Sequence, residues 1–316
     1  MSRRVRTGTR KRSNAIWIIP ILVVVTGVVG YYIFTQSGAS LGASCPLCGT
    51  PVSSTVLSDL SGVSMSTLNQ VGKASGVNSP TSISGSGSLT LNGKPEILYM
   101  GAEYCPYCAA ERWAMIVALD KFGTFTGIQY MESTSTDVYP STPTFTFVGA
   151  TYTSNYVSFV TVEQADRNDN PLQTANTDET SLLTTYDSGG TIPFVDIANS
   201  YSITSAQYLP SALRVGNSET GAPYNWTQIA SQLNNASSIP AINIDGAANR
   251  LISAICKVDG NAPSSVCSQS FAQTLSYTRT PPSVGSQLLV ADAILRGQAP
   301  SVSEARFAPT RHAAWV

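Results

Sequence analysis

Hydrophobic and polar positions divide the chain into three stretches of different character. Ile16 to Phe34 is a run of nineteen residues without a charge, close to the roughly 20 residues that a helix needs to cross a bilayer. Residues 35–90 are rich in Ser, Gly and Thr, which predicts a stalk with a short helix near Ser64–Val71. Beyond residue 90, apolar runs of strand type alternate with helical spacing, and this alternation predicts an α/β sheet.

The clearest elements of this sheet surround residue 105. Pro95 to Gly101 reads as a short buried strand that ends at a glycine. Ala109 to Phe122 has helical spacing, with Trp113 on its apolar face, and Gly123 is expected to end the helix. Further strands are predicted at 128–132, 145–148, 156–162 and 191–197, and further helices at 178–186, 226–233 and 247–257.

Charge gives the apolar run an orientation. Six of the 18 basic residues lie in the first twelve positions, and positive residues beside a membrane span stay in the cytoplasm. The prediction is a single-pass membrane protein with its N-terminus inside and everything after Phe34 outside. A cleaved signal peptide ending near Ser37–Ser40, or a lipoprotein-like attachment at Cys45, would export the domain equally.

Composition excludes several function classes. The net charge is -1, and beyond residue 12 the chain has 12 basic and 19 acidic residues, so a phosphate-binding surface and a nucleic-acid partner are not expected. The single histidine, His312, stands four residues from the C-terminus. Ser–His–Asp catalysis and histidine-rich metal sites are therefore not expected.

The strongest chemical signal is Cys105-Pro106-Tyr107-Cys108, placed between the predicted strand and helix. The free N–H groups at a helix N-terminus stabilise a thiolate, which is the reactive form of cysteine. Pro106 fits the first helical turn, because the N–H that proline lacks would have no hydrogen-bond partner at that position. The motif predicts Cys105 as the nucleophile and Cys108 as the resolving thiol. A structural disulfide or half of a metal site is the alternative.

Residues beside the motif are weaker candidates. Glu103 and Glu111 could move protons or tune Cys105, or they could be solvated partners of the helix dipole. Tyr104 and Tyr107 could form an apolar rim for a substrate, or they could simply pack.

The other four cysteines form two further close pairs. Cys45 and Cys48 are open to three interpretations: a disulfide, a second exchange pair that relays electrons from a membrane partner to Cys105 and Cys108, or half of a zinc site. Cys256 and Cys267 enclose ten residues, and a structural disulfide is the better interpretation. An exported location would let such disulfides persist.

Two separated elements of this sequence resemble the thioredoxin superfamily. One is Cys-Pro-Tyr-Cys between strand and helix, and the other is Gly190 to Phe194, which is similar to the loop that carries the superfamily's cis-proline. The resemblance implies that Pro193 is the cis-proline and that Ile192 contacts a bound peptide. Pro193, Pro106 and Tyr107 are also expected at the substrate-binding site. Thiolate exchange through a mixed disulfide is the expected mechanism, and it needs no dissociable cofactor. Strand-rich residues around 140–165 make the chain longer than a minimal thioredoxin and suggest an insertion.

A closer resemblance is to a family of exported, thioredoxin-like proteins catalogued as domain of unknown function 929. Stretches carrying it include GAEYCPYCAAERW, GTIPFVDIANSY and IDGAANRLISAICKVDGNAPSSVC, and together they span residues 90–268. This resemblance implies a fold rather than an established activity.

These observations predict a thioredoxin-like α/β domain with an insertion, preceded by a transmembrane helix and a stalk. The expected function is a membrane-anchored, extracytoplasmic thiol–disulfide oxidoreductase that acts on thiols and disulfides of exported proteins, in a direction that the sequence does not set. The alternative is a surface binding module whose disulfides are only structural. The expected boundaries are 1–15 for the cytoplasmic tail, 16–34 for the span, 35–90 for the stalk, 91–275 for the domain and 276–316 for a C-terminal extension.

Overall fold

The computed structural model describes residues 44–84, 87–273 and 275. Residues 44–46 belong to one unit and the described residues from Leu47 onward to a second. The predicted tail, membrane span, C-terminal extension and His312 all lie outside the described residues. Within the described part, no helix is both long enough and apolar enough to cross a bilayer.

Helices and strands are numbered in chain order. The helices are α1 (Ser54–Ser61), α2 (Met65–Val71), α3 (Pro106–Leu119), α4 (Thr177–Tyr186), α5 (Trp226–Ala230), α6 (Ile239–Val258) and α7 (Ser264–Cys267). The strands are β1 (Thr81–Ser82), β2 (Thr90–Leu91), β3 (Lys94–Gly101), β4 (Gly123–Thr126), β5 (Gln129–Glu132), β6 (Pro143–Thr146), β7 (Thr151–Ser154), β8 (Ser158–Glu163), β9 (Phe194–Ile197) and β10 (Tyr201–Ile203).

A mixed sheet forms the centre of the fold. Its strands are ordered β1-β10-β9-β3-β2, and β8 also pairs with β3. The β3–β8 pair is parallel, with Glu96–Gly101 opposite Ser158–Glu163, whereas β9 lies antiparallel to β3. Two small sheets, β4–β7 and β5–β6, stand beside it. The mixed α/β architecture is the fold class that the sequence predicts.

Strand β3 pairs with both β8 and β9, and both of its faces are covered. Leu98 and Met100 pack on one face with Leu183 of α4 and Phe194 of β9. Successive side chains of a strand point to opposite faces, and Tyr99 contacts α3 on the other face. A strand buried on both sides reads as a continuous apolar run, which is why the sequence predicts it well.

Helix α3 is buried along its whole length, since all of its residues except Tyr107 are buried. Helix α6 packs along one side of it. The sequence predicts a helix with one apolar face over 109–122, but α3 begins at Pro106 and ends at Leu119. The chain turns after Leu119 so that Gly123 can begin β4. Trp113 is completely buried, as predicted.

The residues predicted to be an insertion cover helix α3. Trp113 Nε1 donates to the Pro143 carbonyl at 2.8 Å, and Thr144 Oγ1 donates to the Ala109 carbonyl at 2.8 Å. Strand β6 is therefore fastened to α3 by side-chain hydrogen bonds. Strand β8, from the same region, belongs to the central sheet.

The structure differs from the predicted stalk after residue 46. Val56 and Leu60 of α1 and Leu68 of α2 are fully buried. The two helices are short, but Ser53 and Ser64 cap their N-termini by accepting backbone N–H groups, a stabilising arrangement. Residues of the predicted stalk therefore supply core side chains, which a Ser- and Thr-rich composition conceals.

Helix α6 is longer than the predicted helix at 247–257. It begins at Ile239, with Ser238 as its N-cap. Position 246, inside this helix, requires glycine. A Cβ there would stand 2.4 Å from the Ala74 Cβ. Cys256 at its end is bonded to Cys267, with Cα atoms 5.5 Å apart, which confirms the predicted structural disulfide.

Candidate functional site

Cys105 and Cys108 stand where strand β3 leads into helix α3. Cys105 is the N-cap of α3 and Pro106 follows in its first turn. The Cys105 Sγ accepts the Cys108 N–H at 3.3 Å. Both cysteines are free thiols, with Cys105 7% exposed and Cys108 fully buried. The motif therefore occupies the helix N-terminus that the sequence predicts.

The pKa values of the two thiols are shifted in opposite directions. A hydrogen bond from the Cys108 thiol lowers the pKa of Cys105, whereas burial raises it. The Cys108 N–H and the charge of Arg112 lower it further. Burial raises the pKa of Cys108 well above its usual range, and the neighbouring Cys105 adds to this. The two thiols are therefore unequal, with the pKa of Cys105 lowered and that of Cys108 raised.

The loop before strand β9 faces the cysteines. The Cys105 thiol donates to the Ile192 carbonyl oxygen at 3.9 Å. The peptide bond between Ile192 and Pro193 is cis, as the superfamily resemblance implies. Ile192 is half-buried and Pro193 is buried. Two segments 87 residues apart in sequence therefore meet at the Cys105 sulfur.

Tyr104 and Tyr107 lie on either side of Cys105 in the sequence, and both are half-buried. Tyr107 is half-buried and its ring meets the ring of Tyr139 edge-on, with centroids 6.0 Å apart. The Tyr104 carbonyl accepts the Thr134 N–H at 2.9 Å. Pro106 is buried within the helix start. Tyr107 is therefore placed at the surface beside Cys105, whereas Pro106 shapes the turn.

A buried ion pair lies behind the cysteines. Arg112 Nε and Nη2 donate to the two carboxylate oxygens of Glu163 at 2.8 and 2.6 Å, and both side chains are fully buried. Nη2 also donates to the Ala102 carbonyl at 2.8 Å. Two parallel bonds fix the guanidinium plane. Nη1 has no partner among the described residues.

Sequence reasoning misses this pair. Arg112 follows Cys108 by four residues, so the two side chains share one face of α3. Glu163 ends strand β8, whose parallel neighbour β3 leads directly to Cys105. Two signals were present: the i, i+4 spacing and the expectation that parallel strands bring their carboxyl ends together. Pairing them requires the sheet order, which the sequence does not give.

Glu103 and Glu111 are both buried, so the interpretation of solvated dipole partners is wrong. Glu103 accepts the Thr146 hydroxyl at 2.5 Å, and burial raises its pKa. Glu111 accepts the Gln207 N–H at 2.9 Å, and burial raises its pKa to about 7. Both carboxyls fasten segments around the site.

The second cysteine pair is oxidised. Cys45 and Cys48 are each disulfide-bonded. A relay between them and Cys105 stays a prediction. In the described part of the chain, no group of three or more His, Cys, Asp or Glu side chains could hold a metal ion.

This arrangement supports nucleophilic attack by sulfur. It combines an acidic thiol, a second thiol one turn away and a fixed positive charge behind them. A thiolate attacks a disulfide, and a neighbouring thiol can then resolve the product.

A family model described as a domain of unknown function, DUF929, matches residues 82–257. No curated protein and no solved structure matches the chain. The matched stretch runs from β1 into α6 and includes Cys105, Cys108, the Arg112–Glu163 pair and the Ile192–Pro193 loop. The resemblance to this family is confirmed. Since the match spans more than half of the chain, this protein belongs to the DUF929 family.

Proposed function

We propose that this protein is a thiol–disulfide oxidoreductase on a thioredoxin-like scaffold, acting on disulfides of exported proteins. The observation that carries the proposal is the placement of the Cys105–Cys108 dithiol: Cys105 caps helix α3, its sulfur accepts the Cys108 N–H, and the carbonyl of Ile192 lies against it, just before the cis Pro193. The lowered pKa of Cys105 and the raised pKa of Cys108 agree with this placement. Reactive cysteines occupy such positions, whereas a cysteine that is buried for structural reasons is inert.

In its dithiol form the protein reduces a client. The Cys105 thiolate attacks one client sulfur, the client S–S bond breaks, and a mixed disulfide forms while the other client sulfur leaves as a thiolate. Cys108 loses its proton and attacks Cys105, which releases the second client thiolate. Two electrons pass from the dithiol to the client, and the Cys105–Cys108 disulfide remains. Oxidation of a client dithiol runs through the same intermediate in reverse.

Arg112 supplies fixed charge during this exchange. Its charge favours the thiolate form of both cysteines, first the Cys105 thiolate that attacks the client and then the Cys108 thiolate that resolves the mixed disulfide. Glu163 holds the guanidinium in one orientation. Arg112 is a positioning residue because it acts through the cysteines.

We further propose that the domain works outside the cytoplasm, anchored by residues 16–34. The oxidised state of Cys45, Cys48, Cys256 and Cys267 suits an oxidising compartment. The Cys45–Cys48 segment would exchange electrons with a membrane partner. Unchanged turnover by membrane vesicles after Cys45→Ser and Cys48→Ser replacement would contradict this role.

Trapping the mixed disulfide tests the enzyme directly. The full-length Cys108→Ser protein is mixed with a disulfide-bonded peptide, quenched with acid and mapped by mass spectrometry. The expected product is a peptide attached to Cys105, and the matched Cys105→Ser protein should form none. Absence of the adduct in Cys108→Ser at pH 7 would refute the proposal.

The low exposure of Cys105, 7%, favours a second candidate, a binding module whose dithiol is inert. A redox titration against glutathione separates the two. An enzyme pair should titrate between about -270 and -120 mV, whereas an inert dithiol would resist oxidation by glutathione disulfide and alkylation in the folded protein.

A further inference from the structure

The entrance to Cys105 is built from loops that are tied to one another. The loop 133–142 holds Tyr139 against Tyr107. The same loop is bound to the segment 209–222, because Arg214 Nη1 donates to the Pro140 carbonyl at 2.8 Å. The turn 164–170 is also joined to the loop 133–142, because Arg167 Nη2 donates to Ser141 Oγ at 3.5 Å. It is held next to the cysteine motif because the Glu103 N–H donates to the Ala165 carbonyl at 2.9 Å. We call these three loops the mouth.

Each of the three mouth loops carries a carboxylate: Asp137 in 133–142, Asp169 in 164–170 and Glu219 in 209–222. Asp137 is two residues before Tyr139, whose ring meets that of Tyr107. Burial raises the pKa of Tyr107, and the charges of Glu219 and Asp137 raise it further. Burial raises the pKa of Tyr104 to about 12, and Asp169 and Asp137 contribute to that rise. The carboxylates therefore act on the tyrosines that border Cys105. Glu219 and Asp169 are exposed, and Asp137 is half-buried.

The cations of the mouth loops do not balance these carboxylates. The loops contain no lysine. Arg214 is 3% exposed and donates to the Gly221 and Pro140 carbonyls. Arg167 pairs with Glu132 at 3.6 Å. Arg112, behind the cysteines, is fully buried against Glu163.

Aromatic and apolar surface completes the mouth. The half-buried ring of Tyr107 borders the entrance, with the buried ring of Tyr139 packed edge-on against it, and Val138, between Asp137 and Tyr139, is 41% exposed. Tyrosine faces attract cations, and the long stems of lysine and arginine cover apolar surface while their charged heads reach carboxylates. The combination fits a basic side chain better than an acidic one.

We propose that the mouth selects clients whose reactive cysteine is flanked by lysine or arginine and disfavours small anionic thiols such as glutathione. This inference rests on the proposed function and adds a substrate class to it. A basic flank reaches Asp137, Asp169 or Glu219 while the client sulfur meets Cys105. An acidic flank at the same place is repelled, because like charges side by side are unfavourable at a binding surface.

The experiment compares three disulfide-bonded peptides that differ only in the two residues on each side of cysteine: lysine, glutamine or glutamate. Single-turnover rates are measured with the reduced full-length protein at low and high salt. At low salt we expect the lysine peptide to react about tenfold faster than the glutamate peptide, and salt should reduce this ratio.

The Asp137→Asn/Glu219→Gln protein should lose most of this ratio. The matched control, Asp59→Asn/Asp178→Asn, removes two carboxylates elsewhere and should keep it.

The outcomes separate this inference from the function on which it rests. Equal rates for the lysine and glutamate peptides at low salt would overturn the client preference and leave the enzyme standing. A ratio that survives Asp137→Asn/Glu219→Gln would also overturn it, since the carboxylates would not be the cause. No reaction with any peptide, together with no adduct on Cys105, would overturn the proposed function itself.

Discussion

At the scale of single residues, the site depends on charge placed where water cannot reach it. Arg112 and Glu163 are fully buried and joined by two hydrogen bonds. The loss of hydration on burial offsets much of the attraction between the two charges, so the pair is weak evidence for a role in stability. Its position behind two cysteines indicates a role in their chemistry. The guanidinium lowers the pKa of Cys105, and the carboxylate limits how far that effect goes.

Replacing each partner of the pair tests this explanation. In Arg112→Met the pKa of Cys105 should rise because its positive neighbour is gone. In Glu163→Gln it should fall because the guanidinium loses its counter-charge. Alkylation of Cys105 by iodoacetamide, followed against pH, measures the midpoint in each protein.

Both replacements should cost stability, since each leaves a buried charge without its partner, a loss of about 3–5 kcal/mol. Urea unfolding measures this loss. A purely structural pair would lose stability in both proteins and leave the alkylation midpoint unmoved. Midpoints that move in the same direction in both proteins would also contradict the electrostatic role.

At the scale of elements, helix α3 is the piece that organises the site. Its N-terminus holds Cys105, and it is covered by β6 on one side and α6 on another. The sequence predicts the helix and its motif because both signals are local. It does not predict that the helix is buried all round, since that depends on Pro143, Thr144 and Gln207, which are distant in sequence. Glu111 on this helix accepts the Gln207 N–H.

The Glu111 contact predicts a pH dependence. Burial raises the pKa of Glu111 from 4.5 to about 7, so the folded state holds a proton that the unfolded state has released. Stability from this group is therefore complete below about pH 4.5 and falls as pH rises to about 7, by about 3 kcal/mol. Urea midpoints at pH 5 and pH 8 should differ more in the natural protein than in Glu111→Gln, whose amide still accepts the Gln207 N–H. Equal pH dependence in the two proteins would show that Glu111 is not the titrating group.

At the scale of the whole molecule, the sequence predicts the elements that have a local pattern and misses the packing that depends on long-range contacts. Strand β3, the Cys105 turn and the Ile192–Pro193 loop are predicted because each has a short, specific pattern. The packing of α1 and α2 is not, because three fully buried residues, Val56, Leu60 and Leu68, are too few to reveal a helix face among serines and threonines. Their partners lie far along the chain, as where Asn249 of α6 donates to the Leu68 carbonyl.

Two leucines of α1 test whether the N-terminal helices belong to the fold. Leu60 is fully buried and Leu57, less than one turn away, is 39% exposed. Leu60→Ala should lower the free energy of unfolding by about 2–5 kcal/mol, because it removes buried methyl groups and leaves a cavity. Leu57→Ala should change it by less than about 0.5 kcal/mol, as is usual for surface positions. Both keep the helix propensity of the segment high, so the comparison isolates burial. Urea unfolding of the full-length proteins measures both values, and a stalk that does not pack would give equal, small losses. A large loss from Leu60 alone means that the folded unit begins well before the cysteine motif.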